Sequence, residues 1–308
     1  MTASIEEARR GFRERLLEAG VLVVLGEPGL YAKSGVFERV YRGVDALTET
    51  TLAHLGAEVL RFPPVEPLAL FEKTDYIASF PQLTASLSVF TGGDLEHAEL
   101  LTARAEGERW ERFLEPAGVL MSPAVCHPVY ALLTGTLPAG GRNFDVLGDS
   151  FRREPSEDPM RMQAFHMHEY VHVGTAVSAL AHRDEGAPLM HALLESLGLE
   201  IDYVPANDPF FGRAGRMLAK NQITQSLKYE FVTPVYGDAH DPTAISSANY
   251  HETHFGQAFD IRDADGEVAN SSCLAFGLER ITLALFARHG TDLGSWPAGV
   301  RARLGADA

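Results

Sequence analysis

Charged and aromatic side chains with chemical potential crowd into the middle of this chain. Phe151-Arg152-Arg153-Glu154 is followed by a polar loop from Pro155 to Met160 and then by Arg161-Met162-Gln163-Ala164-Phe165-His166-Met167-His168-Glu169. A guanidinium at a strand end can clamp an α-phosphate and stabilise the charge that builds there during adenylation. Glu154 can accept from an adenine amino group, and Phe165 offers a face for stacking. The alternative reading of Arg152 to Glu154 is a solvated, salt-bridged strand end. The chain contains neither GxxxxGK[ST] nor GxGxxG. Nucleotide chemistry here would therefore draw its electrostatics from side chains and not from a glycine-rich phosphate loop.

Those residues need elements to hold them. Ile5, Ala8, Phe12, Leu16 and Ala19 recur at helical spacing up to Gly20, which predicts an amphipathic opening helix. Val21 to Tyr31 reads as strand and turn, and Val36 to Leu55 as a helix closed by Gly56. A strand from Glu58 to Phe62 follows, ended by Pro63 and Pro64. The spacing predicts helix over Asp94 to Phe113 and extended chain over Val119 to Val125 and Phe144 to Phe151. From Met162 to Gly174 the side chains alternate, the mark of a strand with two distinct faces. Helix is expected over Ala187 to Leu197 and Phe211 to Leu227, and strand over Glu200 to Val204, Tyr229 to Tyr236, Ala244 to Phe255 and Gly256 to Ile261. Gly277 to Arg288 closes the series as a helix.

The chain has 308 residues, 45% hydrophobic and 22% charged, which fits one catalytic unit over residues 1–308 built on a large sheet with flanking helices. A formal net charge of -16 gives a long-range field of the wrong sign for a nucleic-acid backbone. Met1 to Gly11 carries Glu6, Glu7, Arg9 and Arg10, with no secretory pattern, and the apolar run Val21 to Leu25 is far too short to cross a bilayer. A cytoplasmic location and no membrane association are expected. Cys126 and Cys273 are too few for a disulfide framework, and by themselves read as buried apolar thiols.

The run from Phe151 to Glu169 resembles motif 2 of class II aminoacyl-tRNA synthetases. Ala275-Phe276-Gly277-Leu278-Glu279-Arg280, opening an apolar helix, resembles motif 3, and Leu47 to Pro63 resembles the dimer-forming motif 1. The resemblance implies an α+β catalytic core, a mostly antiparallel sheet flanked by helices, working as a homodimer. It implies ATP and Mg2+ as cofactors, with Arg152 and Arg280 catalytic and Arg280 on the γ-phosphate side. The implied nucleotide contacts are Arg152, Glu154, Arg161, Met162, Phe165, Lys228, Arg280 and the segment Ala244, Ile245, Ser246 and Ser247. Seryl enzymes usually carry Glu-x-Ser-Ser in that segment, so Ala244 stands where a magnesium-holding carboxylate is the rule. Lys228 has its own alternative, a solvated lysine at a helix end.

Within that class the likeness is to the zinc-dependent, methanogen-type seryl enzymes, which implies Zn2+ on Cys126, Glu169 and Cys273 with a fourth position open to a substrate amine. His127, His166, His168, His172, His251 and His254 are rival ligands by type, though each singly reads as a satisfied or surface histidine. Only about 45 residues precede the motif 1 likeness, too few for a tRNA-binding domain, so tRNA is not the expected acceptor. The architecture resembles the bacterial amino acid:[carrier protein] ligases. They imply activation of a small amino acid, glycine or alanine, and transfer to the phosphopantetheine thiol of an acidic carrier protein. Arg213, Arg216 and Lys220, on one face of the helix expected within residues 207–227, are the docking candidates; a solvated basic face is the alternative. Two rival functions remain: a paralogue that charges tRNA or a small molecule, and a non-catalytic amino-acid sensor.

Overall fold

The computed structural model describes residues 4–208 and 226–306. Seven strands make the central sheet: β1 (Glu58–Leu60), β2 (Arg142–Phe151), β3 (Ala164–Gly174), β4 (Asp202–Pro205), β5 (Lys228–Thr233), β6 (Thr243–Glu252) and β7 (Asn270–Gly277). Their order across the sheet is β4-β5-β6-β7-β3-β2-β1. Only the β1–β2 pair is parallel; every other neighbour is antiparallel.

Four helices cover one face: α1 (Ile5–Glu18), α2 (Gly35–Leu52), α3 (Ala176–Ser196) and α4 (Leu278–His289). Ser4 caps α1 in a reciprocal box with Glu7, and the Ser34 and Thr175 side chains cap α2 and α3. Along α2, Phe37, Val40, Val44, Thr48 and Leu52 recur at three- and four-residue spacing, and all are buried. Phe37 stacks on Phe286 of α4 with ring centroids 6.2 Å apart. Truncating Phe286 to Ala would cost about 3–5 kcal/mol. Helix α3 lies so close to the sheet that a Cβ at Gly186 would fall 2.2 Å from the Leu274 Cδ1 atom, which only glycine avoids.

The opposite face carries a second core. Val125, Val129, Tyr130 and Leu133 pack with Phe144, Val146, Val171, Val173, Phe255 and Phe259. Beside it, the strands Val65–Pro67, Leu114–Met121 and Ser86–Phe90 form a small antiparallel sheet.

Several elements depart from the sequence-based expectation. The helix expected through Phe113 ends at Ala105, and the chain leaves it through Gly107 at φ 75° before a single turn over Trp110–Phe113. Helix α3 begins eleven residues before Ala187, because Thr175 supplies its cap and Pro188 is tolerated inside it. Gly256 to Ile261, expected as strand, is instead the helix His254–Phe259 with a short strand at Ile261–Arg262. Gly256 sits against the Ala269 carbonyl, where a Cβ would come within 2.1 Å, and Asp260 turns the chain out in the left-handed region. Strand β3 alternates only at its start; from His168 on it is buried on both faces, one by helices and one by the second core. The helix expected over Phe211 to Leu227 lies almost wholly outside the described residues, as do Arg213, Arg216 and Lys220.

Candidate active site

The second core face of the sheet carries the Cys126, Glu169 and Cys273 part of the residues singled out above. Phe165 and Glu169 project from β3, and Cys273 from the adjacent β7. Glu169 opposes Ala275, one pleat along from Cys273, so the two side chains stand diagonally on one face. The Cys273 thiol donates to Glu169 Oε2 at 3.1 Å, and Cys126 arrives from the turn just before the helix His127–Ala131.

The arginines converge. The peptide of Arg152 leaves β2 and donates to the Gln163 carbonyl at 2.9 Å, closing the neck of the motif 2 loop. Its Nε donates to the Pro123 carbonyl at 3.1 Å, and its guanidinium lies 5.6 Å from the centre of the Phe165 ring. Arg280, in the first turn of α4, donates through Nε to Met160 O at 3.0 Å and through Nη1 to Ala244 O at 3.1 Å. Burial, then the charges of Arg152 and Arg161, hold the Arg280 guanidinium below its ordinary pKa, so the three cations share one electrostatic neighbourhood. Glu154 pairs with Arg161 at 3.5 Å.

Lys228 opens β5 and pairs with Asp208 and, at 3.3 Å, with Glu230. Burial works to lower its pKa, but the two carboxylates outweigh this and hold the ammonium above its ordinary value. Among the remaining nucleotide candidates, the Met162 and Ile245 side chains pack in the helix-side core, and the Ala244 carbonyl accepts from Arg280. Ser246 is buried with an unpartnered Oγ, and Ser247 accepts from Asn249 at 3.1 Å.

Burial, then the charge of Glu169, pushes the thiols of Cys126 and Cys273 up. Zn2+ answers this donor set, since it favours thiolate and carboxylate and offsets the cost of a buried carboxylate beside two thiols. Among the described residues no three His, Cys, Asp or Glu side chains are grouped so as to hold a metal ion. Most of the rival histidines are engaged elsewhere. His166 pairs with Glu279 at 2.6 Å, His168 bridges Asp45 and Asp145, and His172 binds Asn143 and Ser178. His251 contacts Ser271 at 3.1 Å; burial, then the neighbouring His254, pushes its pKa down to about 3.

Glu66, Tyr130 and Asp158 at this site escaped the sequence reading. Glu66 is fully buried, with Ser122 Oγ donating to its Oε1 and His127 Nδ1 3.6 Å away. Glu66 Oε2, Tyr76 OH, Tyr130 OH and His127 Nδ1 are all buried without a hydrogen-bond partner. The Tyr76 ring meets His127 edge-on at 5.8 Å, and Tyr130 stacks on Phe255 at 3.9 Å. Asp158 holds the motif 2 loop from beneath: Oδ2 pairs with Arg9 of α1 at 3.1 Å, while Oδ1 accepts from Tyr236 and from the Met160 peptide.

No family model matches the chain. It is 42% identical over 285 residues to amino acid–[acyl-carrier-protein] ligase 1 of Bradyrhizobium diazoefficiens, covering 91% of this chain and 86% of that protein. Ligase 2 of the same organism is 39% identical over 283 residues. The type-2 serine–tRNA ligase of Methanopyrus kandleri is 25% identical over 288 residues, and the match spans 53% of that longer protein. Among solved structures, the M. kandleri seryl enzyme in complex with a tRNA superposes with a TM-score of 0.81 at 21% identity, over 95% of this chain and 60% of that one. The cytoplasmic serine–tRNA ligase of Naegleria fowleri, in complex with AMP, gives a TM-score of 0.70 at 13% identity, over 96% of this chain and 59% of that one. The fold is that of the class II synthetase catalytic core.

Proposed function

Because the chain belongs to the family of amino acid–[acyl-carrier-protein] ligases, and so is a ligase, we propose that it activates a small amino acid, glycine or alanine, with ATP and passes it to a carrier protein. The observation that carries the reading is that Arg152 and Arg280 share one electrostatic neighbourhood, with Arg152 over the Phe165 ring, while Glu169, on the same strand as Phe165, pairs with Cys273.

In the first step an oxygen of the amino acid carboxylate bonds to the α-phosphorus of ATP, and the bond to the pyrophosphate oxygen breaks. Arg152 and Arg280, fixed by backbone carbonyls, meet the charge that builds on the phosphates. Phe165 supports the adenine, Glu154 accepts from its amino group, Arg161 and Lys228 sit at the rim, and Mg2+ accompanies the nucleotide. Zn2+ held by Cys126, Glu169 and Cys273 would supply a Lewis-acid seat for the substrate amine. In the second step the phosphopantetheine thiol attacks the acyl carbon and AMP leaves. Arg213, Arg216 and Lys220 are the proposed docking cations for the acidic carrier. Dimerisation through α2 and the β1 edge, where Val59 is 62% exposed, completes the reading.

The test is amino-acid-stimulated ATP–pyrophosphate exchange with and without a zinc chelator, followed by the mass of a holo carrier protein. Exchange that no amino acid stimulates would sink the proposal. Charging of bulk tRNA in place of the carrier would move the acceptor, and sedimentation as a monomer would remove the dimer.

A further inference from the structure

Glu66 comes from the small three-stranded sheet, not from any of the motifs, and it is completely buried. A carboxylate in such a place is costly unless something uses it. Its contacts run to one short segment, residues 122–127. Ser122 Oγ donates to it, and His127 Nδ1 lies 3.6 Å from the same oxygen. That segment touches both halves of the site. The Ser122 peptide donates to Pro64 O at 3.0 Å, and its carbonyl accepts from the Phe151 peptide at 2.8 Å, at the end of β2. The next carbonyl, Pro123 O, accepts Arg152 Nε. Three residues on stands Cys126, at the start of the helix His127–Ala131.

We propose that Glu66 is a positioning residue for both halves of the site: by holding residues 122–127 through the Ser122 hydroxyl, it fixes the carbonyl that aims Arg152 and the turn that presents Cys126. The inference rests on the proposed function for its activity readout, but its geometry does not depend on the identity of the amino acid.

The experiment compares Glu66→Gln, Glu66→Leu and Ser122→Ala in the full chain. It measures exchange kcat, the KM for ATP, the rate at which a chelator strips added zinc, and thermal unfolding. Gln keeps an oxygen that can accept from Ser122, so Glu66→Gln should stay within about 3-fold of wild type in both kcat and zinc loss. Glu66→Leu and Ser122→Ala should lower kcat by about 10-fold or more, with little change in the KM for ATP, and should release zinc faster. A folded Glu66→Leu protein with wild-type kcat and zinc release overturns the proposal. So does a Gln variant as impaired as Leu, since that would assign the charge itself to substrate contact. Should Glu66→Leu fail to fold, Ser122→Ala decides by the same two readouts. A wild-type protein without exchange activity would overturn the proposed function alone, and zinc release would still test the role of Glu66.

Discussion

Around Arg152 and Arg280 each guanidinium is tied by hydrogen bonds to backbone carbonyls: Pro123 O for one, Met160 O and Ala244 O for the other. Around Glu169 the picture is reversed. Two thiols pushed up by burial crowd a buried carboxylate, and Glu66 Oε2, Tyr76 OH, Tyr130 OH and His127 Nδ1 find no partner. On the proposed function the half around Arg152 and Arg280 is preorganised, its donors aimed before ATP arrives. Among the described residues the Glu169 side holds these four buried polar atoms without a partner, against Ser246 Oγ on the nucleotide side. The difference is between guanidiniums fixed by backbone carbonyls and a buried cluster whose polar atoms are only partly paired.

The comparison breaks most sharply at the arginines. Arg152→Ala or Arg280→Ala should lower exchange kcat by about 100- to 1,000-fold, because a preorganised donor to developing charge is lost. Lysine should rescue neither, since an ammonium cannot reproduce the planar fork held by two carbonyls at Arg280. Full rescue by lysine would mean that only net charge matters there, and the nucleotide half would not be preorganised. On the Glu169 side, Cys273→Ser should cost about 100-fold in exchange and should lower bound zinc measured by elemental analysis. Wild-type exchange in Cys273→Ser, or indifference to a chelator, would leave that cluster to be completed by the amino acid alone.

The two halves also differed in how far they could be read from the sequence. Phe151 to Glu169 is a contiguous run whose loop and strand alternation announce themselves, and Arg280 stands at a visible helix start. Most individual strands and helices were legible because period is a local signal, whereas the antiparallel arrangement of the sheet was expected only from the resemblance. Glu66 is a single carboxylate between Val65 and Pro67, and no spacing ties it to Ser122, 56 residues away. The histidines could be ligands by type, but His166 and His168, inside the motif run, face the helices and are satisfied by Glu279, Asp45 and Asp145. His254–Phe259 was read as strand because its apolar residues fit either period, and only the approach of Gly256 to Ala269 O reveals the turn of helix.

A smaller effect tests whether the nucleotide half is held from behind. Asp158 fixes the Met160 peptide at 2.9 Å, and Met160 O in turn accepts Arg280 Nε. Arg9 and Tyr236 clamp Asp158 from the far side. Asp158→Ala should therefore lower kcat by about 10-fold through a misplaced Arg280, without touching ATP. Arg9→Met should lower it less, because Tyr236 and Met160 still hold the carboxylate. If Arg9→Met and Asp158→Ala were equally impaired, the helix α1 would be the element that sets the loop.

The smallest expected effect lies in stability and not in rate. His168, on the same strand as Phe165 and Glu169, is buried between Asp45 of α2 and Asp145 of β2, with Arg61 on Asp145 and the Tyr170 ring stacked at 5.0 Å. Burial works to lower its pKa, yet hydrogen bonds to Asp145 and Asp45 overcome this and raise it above the ordinary 6.5. The folded protein thus holds this proton more tightly than the unfolded chain does. The stability it contributes is complete below the unfolded-state value and is lost as pH rises through the raised folded value. His172 and His182 work in the other direction. Burial pushes them down to about 4 and about 3, so their contribution is present above 6.5 and is lost as pH falls. His166, raised through Glu279, adds to the alkaline side. Thermal unfolding of His168→Gln from pH 5 to 9 should therefore show a shallower fall in Tm on the alkaline side, with the acid limb unchanged. An unaltered alkaline limb would mean that His168 is neutral in the folded protein, and that Asp45 and Asp145 hold β3 without a buried cation between them.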